Sequence, residues 1–143
     1  MVKLAEKHLP NKTQVKFWKK KYPKKGRVYP VWSIEHILPQ TLTQEWIAEL
    51  GCQNVADAKV IQEKYVHKLG NLTLTKYNSE MKNLSFVKKR DLTDKKNIFI
   101  GYKDSPLKEG LNSYIVAQDV WTPKQIDERT ELLIKEILEI FAW

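Results

Sequence analysis

Cysteine is nearly missing from this chain, with Cys52 alone among 143 residues. A lone thiol excludes an internal disulfide and any cysteine cage for zinc. Glycine is scarce too: there are five, and none sits in the Gly-rich loop that cradles nucleotide phosphates. The three histidines, His8, His36 and His67, include no His-Glu-x-x-His spacing. A zinc protease, which the Glu-His dipeptide superficially suggests, is therefore set aside. No apolar run approaches the roughly 18–20 residues that span a bilayer. The opening Met1-Val-Lys-Leu-Ala-Glu-Lys-His has no apolar signal region. The expected compartment is the cytoplasm, with no membrane partner. Internal repeats and low-complexity stretches are lacking as well.

Basic charge is plentiful. The formal net charge is +8, and it is unevenly spread. Residues 1–27 hold ten Lys or Arg against one acid, Glu6, and such a cluster attracts polyanions. Lys19, Lys20, Lys24, Lys25 and Arg27 are candidate nucleic-acid contacts, joined downstream by Lys89 and Arg90. The plainer alternative is a solvated helix face or linker, but Trp18 and Tyr22 among the lysines argue that the segment packs somewhere. With 42% hydrophobic residues, the length suits one domain with a core of ordinary size.

Periodicity places the elements. Val15, Trp18 and Tyr22 suit a short helix over 13–22, ended by Pro23 and Gly26. Val28, Pro30, Trp32 and Ile34 alternate as a strand from Arg27 to Ile34, with Pro30 favouring an edge. Thr43 caps a predicted helix ending at Gly51, with Trp46, Ile47 and Leu50 as its apolar face. Asn54 caps a second, through Val60, Ile61 and Tyr65 towards His67. After a turn at Gly70, Asn71 to Thr75 reads as a strand. Asn78 to about Arg90 reads as a helix, with Met81, Leu84 (or Ser85) and Lys88 a turn apart. Asn97 to Gly101 is a strand or a buried loop. Thr122-Pro-Lys-Gln125 is a capping box with proline at the first helical position. The helix it opens shows Ile126, Leu133, Ile137 and Ile140 on one side, with Leu132, Leu138 and Phe141 flanking.

Chemistry concentrates in two short stretches. Ile34-Glu35-His36-Ile-Leu-Pro39-Gln40 puts a carboxylate beside an imidazole at the end of an apolar run. Leu69-Gly70-Asn71-Leu-Thr-Leu74 and then Asn78 deliver two side-chain amides about thirty residues later. Such groups can hold a hard divalent ion and deprotonate a water, the needs of phosphodiester cleavage.

The order strand, long excursion, strand, helix resembles the HNH nucleases with their ββα-metal (His-Me) finger. More narrowly, Ile-Glu-His-Ile-Leu-Pro-Gln, Leu-Gly-Asn-Leu-Thr-Leu, the segment from Asn78 to Phe86-Val-Lys-Lys, and the closing Trp121-Thr-Pro to Arg129 resemble the C-terminal nuclease domain of GmrSD-type, modification-dependent restriction enzymes. The resemblance runs from about Val28 to Trp143. It implies an α+β fold, mainly helical, with the ββα finger at about 28–90 embedded among helices and a C-terminal helix at about 123–141. Residues 1–27 would be a basic N-terminal segment and 28–143 the nuclease domain.

Carried over residue by residue, His36 is the candidate general base. An imidazole with an ordinary pKa near ~6.5 can accept a proton from water at neutral pH, and such catalysis contributes about a hundred- to ten-thousand-fold in rate. Glu35 is the candidate metal carboxylate, although neighbours on a regular strand face opposite sides, so a twist at the strand end is required. Asn78 is the candidate second ligand through its amide oxygen, with Asn83 as the alternative. Magnesium (or manganese) suits oxygen donors of this kind. Asn71 is expected to brace the excursion and keep His36 aimed. Lys88 (or Lys89) is the candidate to meet charge on the phosphate. His67 and Gln40 lie in matching segments, with structural roles expected first.

The implied activity is metal-dependent DNA nicking, as the effector of a phage-defence restriction system. The implied partners are DNA, double-stranded and modified or not, and an upstream nucleotide-hydrolysing sensor domain or subunit. The chain is accordingly expected to be an excised domain or one half of a two-part system. The competing reading is a non-catalytic basic nucleic-acid-binding module, which leaves the arrangement of Glu35, His36, Asn71 and Asn78 unexplained.

Overall fold

The computed structural model describes residues 1–7, 20–21 and 29–141. In chain order the elements are α1 (Val2–Lys7), β1 (Lys20–Lys21), β2 (Tyr29–Pro30), β3 (Ser33–His36), α2 (Gln44–Glu49), α3 (Val55–Tyr65), a 3-10 turn (Leu69–Asn71), β4 (Leu72–Thr75), α4 (Asn78–Met81), α5 (Phe86–Arg90), a second 3-10 turn (Tyr102–Asp104), α6 (Ser113–Val116) and α7 (Pro123–Ile140). The fold is α+β and mainly helical. Two small antiparallel ribbons, β1 with β2 and β3 with β4, make up the sheet content among the described residues.

β3 and β4 carry the centre of the molecule. Their register pairs Ser33 with Thr75, Ile34 with Leu74, Glu35 with Thr73 and His36 with Leu72. The intervening excursion holds α2 and α3, both capped as the sequence predicts. Thr43 accepts from the Trp46 N–H at 3.3 Å, and Asn54 from the Asp57 N–H at 2.8 Å. On α2, Trp46, Ile47 and Leu50 are buried as expected. On α3 the buried face is instead Ala58 and Gln62, with Ile61 and Tyr65 partly covered, while Val60 is exposed. Gln62 can be buried because its amide donates to the carbonyls of Pro39 (3.0 Å) and Gln40 (2.6 Å).

Two apolar clusters flank the ribbon. One gathers Ile37, Leu38, Trp46, Phe86, Trp121 and Ile126. The other joins Leu4 and Ala5 of α1 to Trp32, Leu74, Leu107, Leu111 and Leu133. Val2–Lys7, part of the basic N-terminal segment in the sequence, is thus packed into the body through α1. α7 carries the predicted capping box at Thr122 and Gln125 and buries Ile126 and Leu133, while Leu132, Leu138 and Phe141 are exposed. Gly70 lets the first 3-10 turn press against α7, since a Cβ there would run into the Ile126 carbonyl and Thr130.

Three expectations change. The strand expected over 27–34 is broken at Val31–Trp32 into β2 and β3. The helix expected over 13–22 falls mostly outside the described residues, and its end, Lys20–Lys21, is paired strand. The continuous helix from Asn78 to Arg90 is two short helices. Lys82, at φ +43° and ψ −125°, stops α4, and the Trp46 indole N–H donates to the Leu84 carbonyl at 2.8 Å, holding the break in place. The stretch at Asn97–Gly101 makes an isolated bridge, Thr93 with Phe99, and buries Ile100.

Candidate active site

β3 ends at His36, and the alternation of a strand decides what its last two residues meet. Glu35 turns inward and is 2% exposed. One carboxylate oxygen takes Lys89 Nζ at 3.4 Å, and the other accepts from the Tyr102 hydroxyl at 3.0 Å. His36 lies on the opposite side, half-buried, with Nε2 3.1 Å from His67 Nδ1. The twist needed to bring Glu35 and His36 to one spot does not occur. Glu35, expected as the metal carboxylate, instead meets a cation and a phenol in the interior, on the side of the strand away from His36.

Lys89 is corrected as well. Expected at a phosphate, it is fully buried, and its three ammonium donors are spent on Glu35, the His36 carbonyl (3.0 Å) and the Ile37 carbonyl (3.1 Å). Its signal was in the sequence: Phe86 and Lys89 are three apart, on one helix face. Arg90 is also engaged away from any ligand, with Asp91 at 2.9 Å, Asp119 at 2.9 Å and the Gln118 carbonyl. Lys88 is exposed on α5 and pairs with Glu45 at 3.1 Å. Lys19, Lys24, Lys25 and Arg27 lie outside the described residues, as does the Lys20 side chain.

Asn71 is wholly buried at the heart of the excursion. Its Oδ1 accepts from the Leu38 N–H (2.8 Å) and the Trp121 indole (3.0 Å), and its Nδ2 donates to the carbonyls of Leu38 (3.0 Å) and Val66 (2.9 Å). Two acceptor and two donor positions exhaust the amide, so it joins the segment after His36, the segment before His67 and the start of the closing helix. Asn78 opens α4 and donates to Ser33 Oγ (3.0 Å) and the Ile34 carbonyl (2.8 Å), tying α4 to β3. Gln40 is exposed, with its carbonyl accepting from the Gln62 amide, and Asn83 is half-buried beside the helix break. Tyr102 and Trp121 escaped sequence reasoning as partners. Tyr102 lies beyond the Asn97–Gly101 stretch, and Trp121 enters the sequence reading only as the first residue of the closing motif.

Electrostatics follow from this burial. Loss of solvent pushes Glu35 up and Lys89 down from their ordinary ranges, each opposed by the other's charge. Partial burial, then His67 and Lys89, hold His36 below the usual histidine range, which favours its neutral form. Among the described residues, no group of three or more His, Cys, Asp or Glu is placed to hold a metal ion. Glu35 and His36 leave opposite sides of β3, so this pair does not converge on a single spot.

The half-exposed imidazole at the end of β3 can accept a proton. Residues 3–136 match the family described as GmrSD restriction endonucleases, C-terminal domain. This chain belongs to that family. No curated protein and no solved structure matches it. Membership of the GmrSD C-terminal domains places the chain in a restriction-endonuclease family, with nuclease function in general and DNA as the family's substrate. Among the described residues, no helix is long and apolar enough to cross a membrane.

Proposed function

We propose that this domain hydrolyses DNA phosphodiester bonds, nicking one strand per site, as the cutting part of a restriction system directed at invading DNA, modified or not. The observation that carries the reading is His36: half-exposed at the end of β3, held below the usual histidine range by partial burial, with its own carbonyl tied to Lys89 and the nearby Leu38 N–H to Asn71. Neutral imidazole takes a proton from water as the oxygen attacks phosphorus; the P–O ester bond breaks, its leaving oxygen takes a proton from solvent, and the ring returns its own proton to solvent. Dependence on magnesium or manganese belongs to the proposal through the family resemblance. An upstream nucleotide-hydrolysing sensor and a cytoplasmic setting are further parts of the same proposal.

The test is supercoiled-plasmid nicking with magnesium against EDTA, for wild type and His36→Ala. Nicking is expected in magnesium, with a loss of about a hundredfold or more in the variant and DNA binding retained. Equal nicking by both proteins would remove His36 as the base. Binding without nicking in either would favour the non-catalytic module.

A further inference from the structure

We infer that His67 is a positioning residue that sets the tautomer of His36, accepting at Nδ1 the proton carried on His36 Nε2 and so leaving His36 Nδ1 as the lone pair that receives a proton from water. The inference deepens the reading of His36 as the base and rests on it.

The contact is a hydrogen bond by its geometry. The two nitrogens are 3.1 Å apart, and the rings meet edge-on, their planes at 78° and their centroids 5.2 Å apart. Two neutral imidazoles share one proton across such a contact, and the bond one nitrogen makes decides what the other can do. The Nε2–H form is the more stable tautomer of a neutral histidine in water. With both rings in that form, His36 Nε2–H faces the bare Nδ1 of His67. The reverse direction would force both rings into the less stable form. It would also occupy the Nε2 lone pair of His36 and put hydrogen on its Nδ1, so the ring could not act as a base.

His67 is exposed, but its backbone is not loose. The preceding carbonyl, of Val66, accepts from Asn71, which also grips Leu38 two residues beyond His36. One buried amide therefore spaces the two imidazoles.

The experiment labels the full chain with 15N-histidine and reads the ring nitrogens by long-range proton–nitrogen correlation at pH 8, in wild type, His67→Ala and His67→Asn. Asparagine places its Oδ1 near the position of Nδ1 and preserves an acceptor. In wild type, His36 is expected to show a bare Nδ1 and an Nε2–H whose proton is observable and slowed in exchange. His67→Ala should lose that proton signal and lower the nicking kcat at least about tenfold with KM unchanged. His67→Asn should restore both. A proton found on His36 Nδ1, or a His36 ring unchanged by His67→Ala, would overturn the inference. The ring signals are independent of cutting, so inactivity of every form, or full activity of His36→Ala, counts against the base and not against the ring-to-ring bond.

Discussion

Glu35 and His36 are adjacent in sequence and opposite in circumstance, and that contrast governs what a substitution at either would do. Glu35→Ala leaves the Lys89 ammonium buried without its counter-charge. Breaking a buried pair in this way typically costs about 3–5 kcal/mol. The expected outcome is a large fall in the urea midpoint; unchanged stability with lost cutting would instead return Glu35 to a role at the reacting centre. Glu49 gives a prediction in pH. Burial lifts it to about 7 from an ordinary value near 4.5, against the pull of the Trp121 N–H at 3.2 Å. A carboxyl raised on folding binds its proton more tightly in the native state. Its contribution to stability is therefore complete below about pH 4.5 and is lost as pH climbs through about 7. Thermal melts between pH 4 and 8 should show a smaller decline across this window for Glu49→Gln than for wild type.

Between residues and fold stand the elements, where the sequence was legible in some places and silent in others. Helices with a cap and a proline or glycine boundary were readable: α2, α3 and α7 begin where Thr43, Asn54 and Thr122 dictate. The excursion brace at Asn71 was readable from its place in the Leu-Gly-Asn-Leu motif. The division of α4 from α5 was not, because Lys82 carries no local mark of its positive φ, and the Trp46 to Leu84 bond that fixes the break is made 38 residues away in sequence. The inward turn of Glu35 was half legible. Strand alternation forbids it from sharing a face with His36, but only the packed positions of Lys89 and Tyr102 reveal what it meets. Lys82 also yields a test. A non-glycine residue in such a conformation stores about 1–3 kcal/mol, and glycine gives back about 0.5–1 kcal/mol in chain entropy. Lys82→Gly is expected to be more stable by about 1 kcal/mol in urea titration, with cutting unaffected.

At the scale of the whole molecule, net charge and shape set how the domain meets its substrate. The formal net charge is +8, and because Lys89 and Arg90 are paired with Glu35 and Asp119, the excess rests on other basic residues. If about four phosphates are neutralised on binding, affinity should drop on the order of a hundredfold between 50 and 200 mM salt. Titrations by fluorescence anisotropy at four salt concentrations would measure the slope, and a flat response would point to a surface of another kind.

Lys89 gathers the carboxyl group of one strand residue and the carbonyls of the next two, so the backbone beneath His36 owes its course to a side chain that never meets solvent. A genetic screen for clones that no longer restrict phage would therefore recover lesions at Lys89, Glu35 and Tyr102 alongside those at the imidazole. Their phenotypes would look alike on a plate. Immunoblots of protein abundance would separate them, because the first group should vanish from the cell and the second should persist at normal levels.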